Sequence, residues 1–80
     1  MHEYSLASEV IELVQREAAK NEVAAVEEIR IEVGDLSGVE PDAFESALQI
    51  LVHETLLENA VIIIFRPPGR ELRVVSFTGE

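Results

Sequence analysis

Apolar side chains fall into five stretches of differing spacing along the chain, and each stretch marks an element. From Ser5 to about Lys20, the residues Leu6, Val10, Leu13, Val14 and Ala18 recur every three or four positions with Glu9, Glu12, Arg16 and Glu17 between them. That period predicts an amphipathic helix, with Ser5 as its N-cap and Asn21 as its stop, and leaves the residues before Ser5 as a short free arm. Between Val26 and Val33 the period drops to two, because Ile29, Ile31 and Val33 alternate with Glu28, Arg30 and Glu32. This predicts a strand with one buried face. GDLSGVEP follows, with two glycines able to take positive φ and Pro41 suited to open a helix. The predicted second helix runs from about Pro41 to Thr55 on a stripe of Phe44, Ala47, Leu48, Leu51 and Val52.

VIIIF, from Val61 to Phe65, has no alternation and is expected to be a central strand covered on both faces. RPPGR interrupts it, since two prolines cannot donate ladder hydrogen bonds. ELRVVSF then supplies a last strand, with Leu72 and Val74 opposed to Arg73, Val75 and Phe77. The order helix, strand, helix, strand, strand predicts a small two-layer α/β domain of the α+β kind. Its mixed sheet has three strands, and both helices pack on one face.

Length and composition narrow the classes. Eighty residues make one domain, residues 1–80, and the 48% hydrophobic fraction is ample for a folded core of Leu, Ile, Val and Ala. Sixteen acidic against six basic residues, a formal charge of −10, repel phosphate backbones and anionic membranes, so neither nucleic acid nor membrane is an expected partner. With no cysteine there is neither a disulfide nor a thiolate zinc site. The opening MHEYS lacks the basic start and apolar stretch of a signal peptide, and the expected location is cytoplasmic.

Catalysis is hard to assemble. Ser5, Ser8, Ser37, Ser46 and Ser76 are available nucleophiles, but only His2 and His53 are candidate bases and neither lies in a nucleophile motif. The chain is expected not to be an enzyme. His53, late in the second predicted helix, fits a helix-end position favourable to the dipole and receives no ligand role.

His2 differs, because the Met1 α-amine, the His2 amide nitrogen and the His2 Nδ1 can close two fused chelate rings on one ion. Three nitrogens in one plane suit square-planar Ni(II) or Cu(II) and suit Ca(II) or Mg(II) poorly. Binding displaces protons, so affinity should fall with acidification through reference pKa values of roughly 7.7–8.0 for the amine and 6.5 for the imidazole. With histidine second in the chain the chelate is tridentate and a fourth position stays open.

MHEYSLASEVIELV, VEEIRIEVGDLSGVEPDAFESALQIL, the VIIIF strand and the closing ELRVVSF together resemble the hydrogenase maturation nickel metallochaperone family, HypA/HybF. The resemblance runs through nearly the whole chain. It implies a nickel-binding α/β domain with Met1, His2 and Glu3 as the metal site, Glu3 contributing its amide or carboxylate. Glu40, before the helix-opening Pro41, is a further candidate oxygen donor, although favouring the helix N-terminus is its more usual role. The family carries a zinc ribbon with paired CxxC motifs between the last two strands, where this chain has RPPGR. The zinc domain is therefore expected to be absent at about residues 67–70, by natural variation or by engineering, and no zinc is expected.

The implied function is delivery of Ni(II) during maturation of nickel-iron hydrogenase, with urease as a second destination. The implied partners are a nickel-loading GTPase and the hydrogenase large subunit. The alternative is a partner-docking module, or a zinc-domain-deleted fragment, without independent metal delivery. A homodimer or exchange of the last strand is a further alternative, since a stiff RPPGR joint between adjacent strands favours swapping.

Overall fold

The computed structural model describes residues 2–80. Its elements are α1 (His2–Lys20), β1 (Val26–Val33), α2 (Pro41–Leu51), β2 (Val61–Phe65) and β3 (Leu72–Gly79). The sheet order is β2-β1-β3, with β1 parallel to β2 and antiparallel to β3. This is the expected two-layer α+β fold with a mixed three-stranded sheet. One core cluster joins Ala7, Val10, Ile11, Val14 and Ala18 of α1, Phe44, Ala47 and Leu48 of α2, and Ile29, Ile31 and Val33 of β1. Both helices thus share the face of β1 that the alternating pattern marked as buried. On its other face Glu28 and Arg30 pair at 2.9 Å, and Glu32 accepts from Arg73 of β3 at 2.8 Å.

Five expectations need correction. The first helix starts at His2, not Ser5, so there is no free arm and Ser5 lies within the helix. Ala7, fully buried, carries the α1 packing stripe N-terminal of Val10, and Glu3 lies one turn before it on the same side. The second helix stops at Leu51, four residues short of Thr55. There the Thr55 hydroxyl donates to the Val52 carbonyl at 2.6 Å and accepts from the Leu57 N–H at 3.1 Å, and Glu54 takes a φ of 62°. A side chain that bonds the backbone locally competes with the helical ladder, and here it wins.

VIIIF is an edge strand, not a central one. Its Ile62 and Ile64 face the core beside Ile29 and Ile31, while Val61 and Phe65 remain 59% and 45% exposed. Centrality went to β1, because α2 is the crossover that returns the chain parallel to it and β3 closes on its other side. In β3 the register shifts between the pairs Arg30↔Ser76 and Ile31↔Val74. That bulge leaves Val75 exposed and turns Phe77 back to pair with Ile29 on the core side, where simple alternation had placed it opposite Leu72 and Val74.

The RPPGR joint does not link adjacent strands. It crosses the end of β1, so the adjacency of β2 and β3 on which the expectation of strand exchange rested is missing. The crossing is close. Asp35 N–H donates to Pro67 O at 2.9 Å, Leu36 N–H to Gly69 O at 2.8 Å, and Gly34 N–H to Glu71 O at 2.8 Å. Gly69 N–H in turn donates to Asp35 Oδ1 at 3.0 Å, and Arg66 Nε to Val33 O at 2.9 Å. Of the two turn glycines, only Gly38 uses positive φ, at 80°, whereas Gly34 is required by proximity to Gly69.

Candidate metal centre

The helix start sets the site. Because α1 begins at His2, the backbone N–H groups of its first turn have no intrahelical acceptor and point out of the helix end. The His2 side chain is exposed there. Met1, the first expected donor, lies outside the described residues. Among the described residues no group of three or more His, Cys, Asp and Glu side chains is placed to hold an ion.

Glu3 is engaged elsewhere. Its Oε2 accepts the backbone N–H of Glu40 at 3.1 Å, joining the start of α1 to the start of α2. This hydrogen bond is the main reason its carboxyl is held below the ordinary value; the backbone N–H of Glu3 itself is the second, and the neighbouring His2 adds a smaller pull. Glu40 does meet the start of α1, as a folded-back turn requires, but through its backbone. Its carboxylate accepts from Asp42 N–H at 3.2 Å and from Ala43 N–H at 2.8 Å, so it is the N-cap of α2. Both oxygens accept at the helix end, which is the N-terminal role expected as the more usual one for Glu40.

Beside Glu3 runs a shallow apolar groove between the helices, lined by Tyr4, Ala43, Ala47 and Ile50. His53 is exposed in the turns after α2. The structure therefore brings Glu3 and Glu40 together and keeps His2 at the same helix end, while His53 lies in the turns after α2. What sequence reasoning missed is the Glu3–Glu40 contact. Its signal was an N-cap followed by Pro41, with alanine where a capping acceptor usually stands.

Residues 1–73 match the family described as "Hydrogenase/urease nickel incorporation, metallochaperone, hypA". A hydrogenase maturation factor HypA from Geobacter metallireducens is 44% identical over 70 residues, which cover 88% of this chain and 61% of the relative. Another from Rhodopseudomonas palustris is 39% identical over 69 residues, again 61% of the relative. The chain thus spans about three-fifths of the length of the curated relatives it matches. The solution structure of the Ni metallochaperone HypA from Helicobacter pylori superposes with a TM-score of 0.84 at 21% identity, over 96% of each chain. At that identity the likeness establishes the fold.

Proposed function

The chain belongs to the HypA family, and we propose that it is a non-enzymatic carrier of Ni(II) that holds the ion at the start of α1. Nickel is cargo. The Met1 α-amine, the His2 amide nitrogen and His2 Nδ1 form a planar nitrogen set, and the Glu3 amide nitrogen is the candidate for the fourth position. The observation that supports this most is the exposed His2 side chain at the first position of α1, where the backbone N–H groups have no acceptor within the helix. Deprotonating an amide makes it a strong-field anionic donor, which suits Ni(II), and also offsets the repulsion of a cation by the positive helix end.

Delivery follows from the same chemistry. A chelate exposed at a helix tip can be approached by the donors of a receiving protein, and each proton returned to the amine, amide or imidazole weakens the grip. The receiving partner in this reading is the nickel-loading GTPase of hydrogenase maturation, or the hydrogenase large subunit, with urease as a second destination. Such exchange belongs to the cytoplasm, and among the described residues no helix is long and apolar enough to cross a membrane. Without cysteine the chain has no thiolates for a zinc ribbon, so recognition that relies on such a domain is not expected of it.

A Ni(II) titration of protein with an unmodified Met1 amine, beside His2→Ala and an N-acetylated form, tests the carrier reading. The expected result is a yellow square-planar complex in the parent, lost in both variants with the fold intact. Equal binding by all three would refute it. The second reading, a docking module, is favoured only by the apolar groove of Tyr4, Ala43, Ala47 and Ile50. A pure module would capture the GTPase equally well as parent or His2→Ala, with or without nickel.

A further inference from the structure

The N-terminus of α2 has five backbone positions to account for. Pro41 has no N–H, Asp42 and Ala43 donate to the Glu40 carboxylate, and Phe44 donates to the Glu40 carbonyl at 3.0 Å. One donor remains, the N–H of Glu40 itself. In a capping box that group is taken by a Glu or Gln at the third helical position, which reaches back over the helix end. Here the third position is Ala43, which has no acceptor. Glu3 supplies the missing oxygen from 37 residues earlier in the chain.

We propose that Glu3 serves the nickel site by position rather than by ligation: its carboxylate completes the α2 cap from another helix and thereby fixes the first turn of α1. Two further features carry this. Ala7 stands one helical turn after Glu3 and is fully buried, so the Glu3–Glu40 contact and the Ala7 packing hold the same side of α1 at successive turns. The turn that presents Glu40 is itself tied to the β2–β3 joint through Gly34, Asp35 and Leu36, so it is a fixed anchor rather than a loose loop. With the turn held, the backbone nitrogens of residues 2 and 3 keep one arrangement, and an ion meets a partly organised donor set. A planar set of nitrogens needs no carboxylate, and moving Glu3 to the ion would leave the Glu40 N–H without its acceptor.

This inference rests on the nickel reading above, and the test separates the two. Glu3→Gln keeps an acceptor oxygen and removes the charge, whereas Glu3→Ala removes both. Amide hydrogen exchange at Glu40 is read in the metal-free proteins, and Ni(II) titrations follow affinity and the position of the nickel absorption band. Expected for Glu3→Gln are Glu40 exchange, nickel affinity and band all as in the parent. Expected for Glu3→Ala is Glu40 exchange about fivefold faster, the factor carried by one capping contact, with nickel bound more weakly in an unshifted band. A band shift in both variants, or equal loss of affinity in both, overturns the proposal by making the carboxylate a ligand. Glu40 exchange that ignores Glu3→Ala overturns it by removing the cap. Failure of the parent to bind nickel ends the nickel reading and the positioning role with it, while the exchange experiment still decides whether the cap exists.

Discussion

Replacing Gly34 by alanine tests the packing that closes the sheet. A Cβ at this position would overlap the Gly69 carbonyl oxygen, lie 2.7 Å from its carbon and stand 3.0 Å from Glu71 O. Ordinary contact begins at 3.4 Å, so the Gly69 carbonyl must retreat by 1.0 Å, and it is backbone with no flexible side-chain end to yield. The bonds that fasten it, Gly34 N–H to Glu71 O, Asp35 N–H to Pro67 O and Leu36 N–H to Gly69 O, are now 2.8–2.9 Å and would stretch past about 3.2 Å, the useful limit. Each such bond contributes about 1 kcal/mol net, and an overpacked methyl costs about 1–3 kcal/mol. Some bonds will relax rather than break, which puts the expected loss at about 2–4 kcal/mol. For a domain this small that is a fall in Tm of about 10–25 °C.

Thermal unfolding followed by circular dichroism reads it, with Gly38→Ala as the control. No atom lies within 4 Å of a Cβ at Gly38, but its φ of 80° is unfavourable for alanine, so about 1–2 kcal/mol is expected there. A Gly34→Ala protein that melts with the parent, or above Gly38→Ala, would refute the claim that proximity to Gly69 requires glycine at position 34.

Other expectations follow from the same geometry. Phe44 is the largest fully buried side chain, so Phe44→Ala should cost about 3–5 kcal/mol in urea denaturation, and a loss under about 1 kcal/mol would mean that the core is not built around it. The Glu3 carboxyl is lowered by the Glu40 N–H, so the stability it gives is present above the ordinary value of 4.5 and is lost as pH falls through the lower folded value. The stability difference between parent and Glu3→Gln should therefore be steady near neutrality and change only in acid; a difference that varies between pH 6 and 8 would contradict this. Nickel should leave the parent on acidification, because binding displaces protons from its nitrogen donors, and binding that does not weaken in acid would contradict the nitrogen set. Copper(II) should displace nickel in a competitive titration, because a nitrogen set follows the usual affinity order, and a preference for nickel would show that the protein imposes more than its donors.

Much of this fold was legible because two signals agreed with themselves over several turns. The alternation of Ile29, Ile31 and Val33 gave β1 its bounds and its buried face, and the three-and-four spacing gave both helices. Where a single local contact decides, the pattern was silent. Periodicity cannot show that Thr55 bonds the Val52 carbonyl and ends α2 early, nor that a bulge at Val75 returns Phe77 to the core. An unbroken apolar run such as VIIIF marks a strand but not its place in the sheet, since a crossover helix can leave it at an edge. At the site, the connection was not legible, because Glu3 meets Glu40 only where both helix starts arrive at one end of the layer, and no local pattern records that. The Met-His chelate, read from adjacency alone, is a proposal for the nickel titration to decide.

The joint between β2 and β3, where the resemblance implies a second domain in the family, is fastened to a single turn at both of its ends. Pro67 and Gly69 offer their carbonyls to Asp35 and Leu36, consecutive residues of one turn, so both sides of the joint are already drawn to the same point above the end of β1. Any segment placed between them would start and finish at fixed, neighbouring sites. Closing such a loop costs only the slow logarithmic growth of chain entropy with length, and none of the strand pairs of β1 need move. The register Ile29↔Ile62, Ile29↔Phe77 and Val33↔Leu72 is set by the core beneath the sheet and does not pass through the joint. The turn that receives the joint at Asp35 and Leu36 also presents Glu40 to Glu3. A change at the joint is thus physically connected to the first turn of α1 through residues 34–40, and loosening the joint by Gly34→Ala should also quicken amide exchange at Glu40. Exchange at Glu40 that is unchanged in a folded Gly34→Ala protein would show that the two ends of this turn move independently.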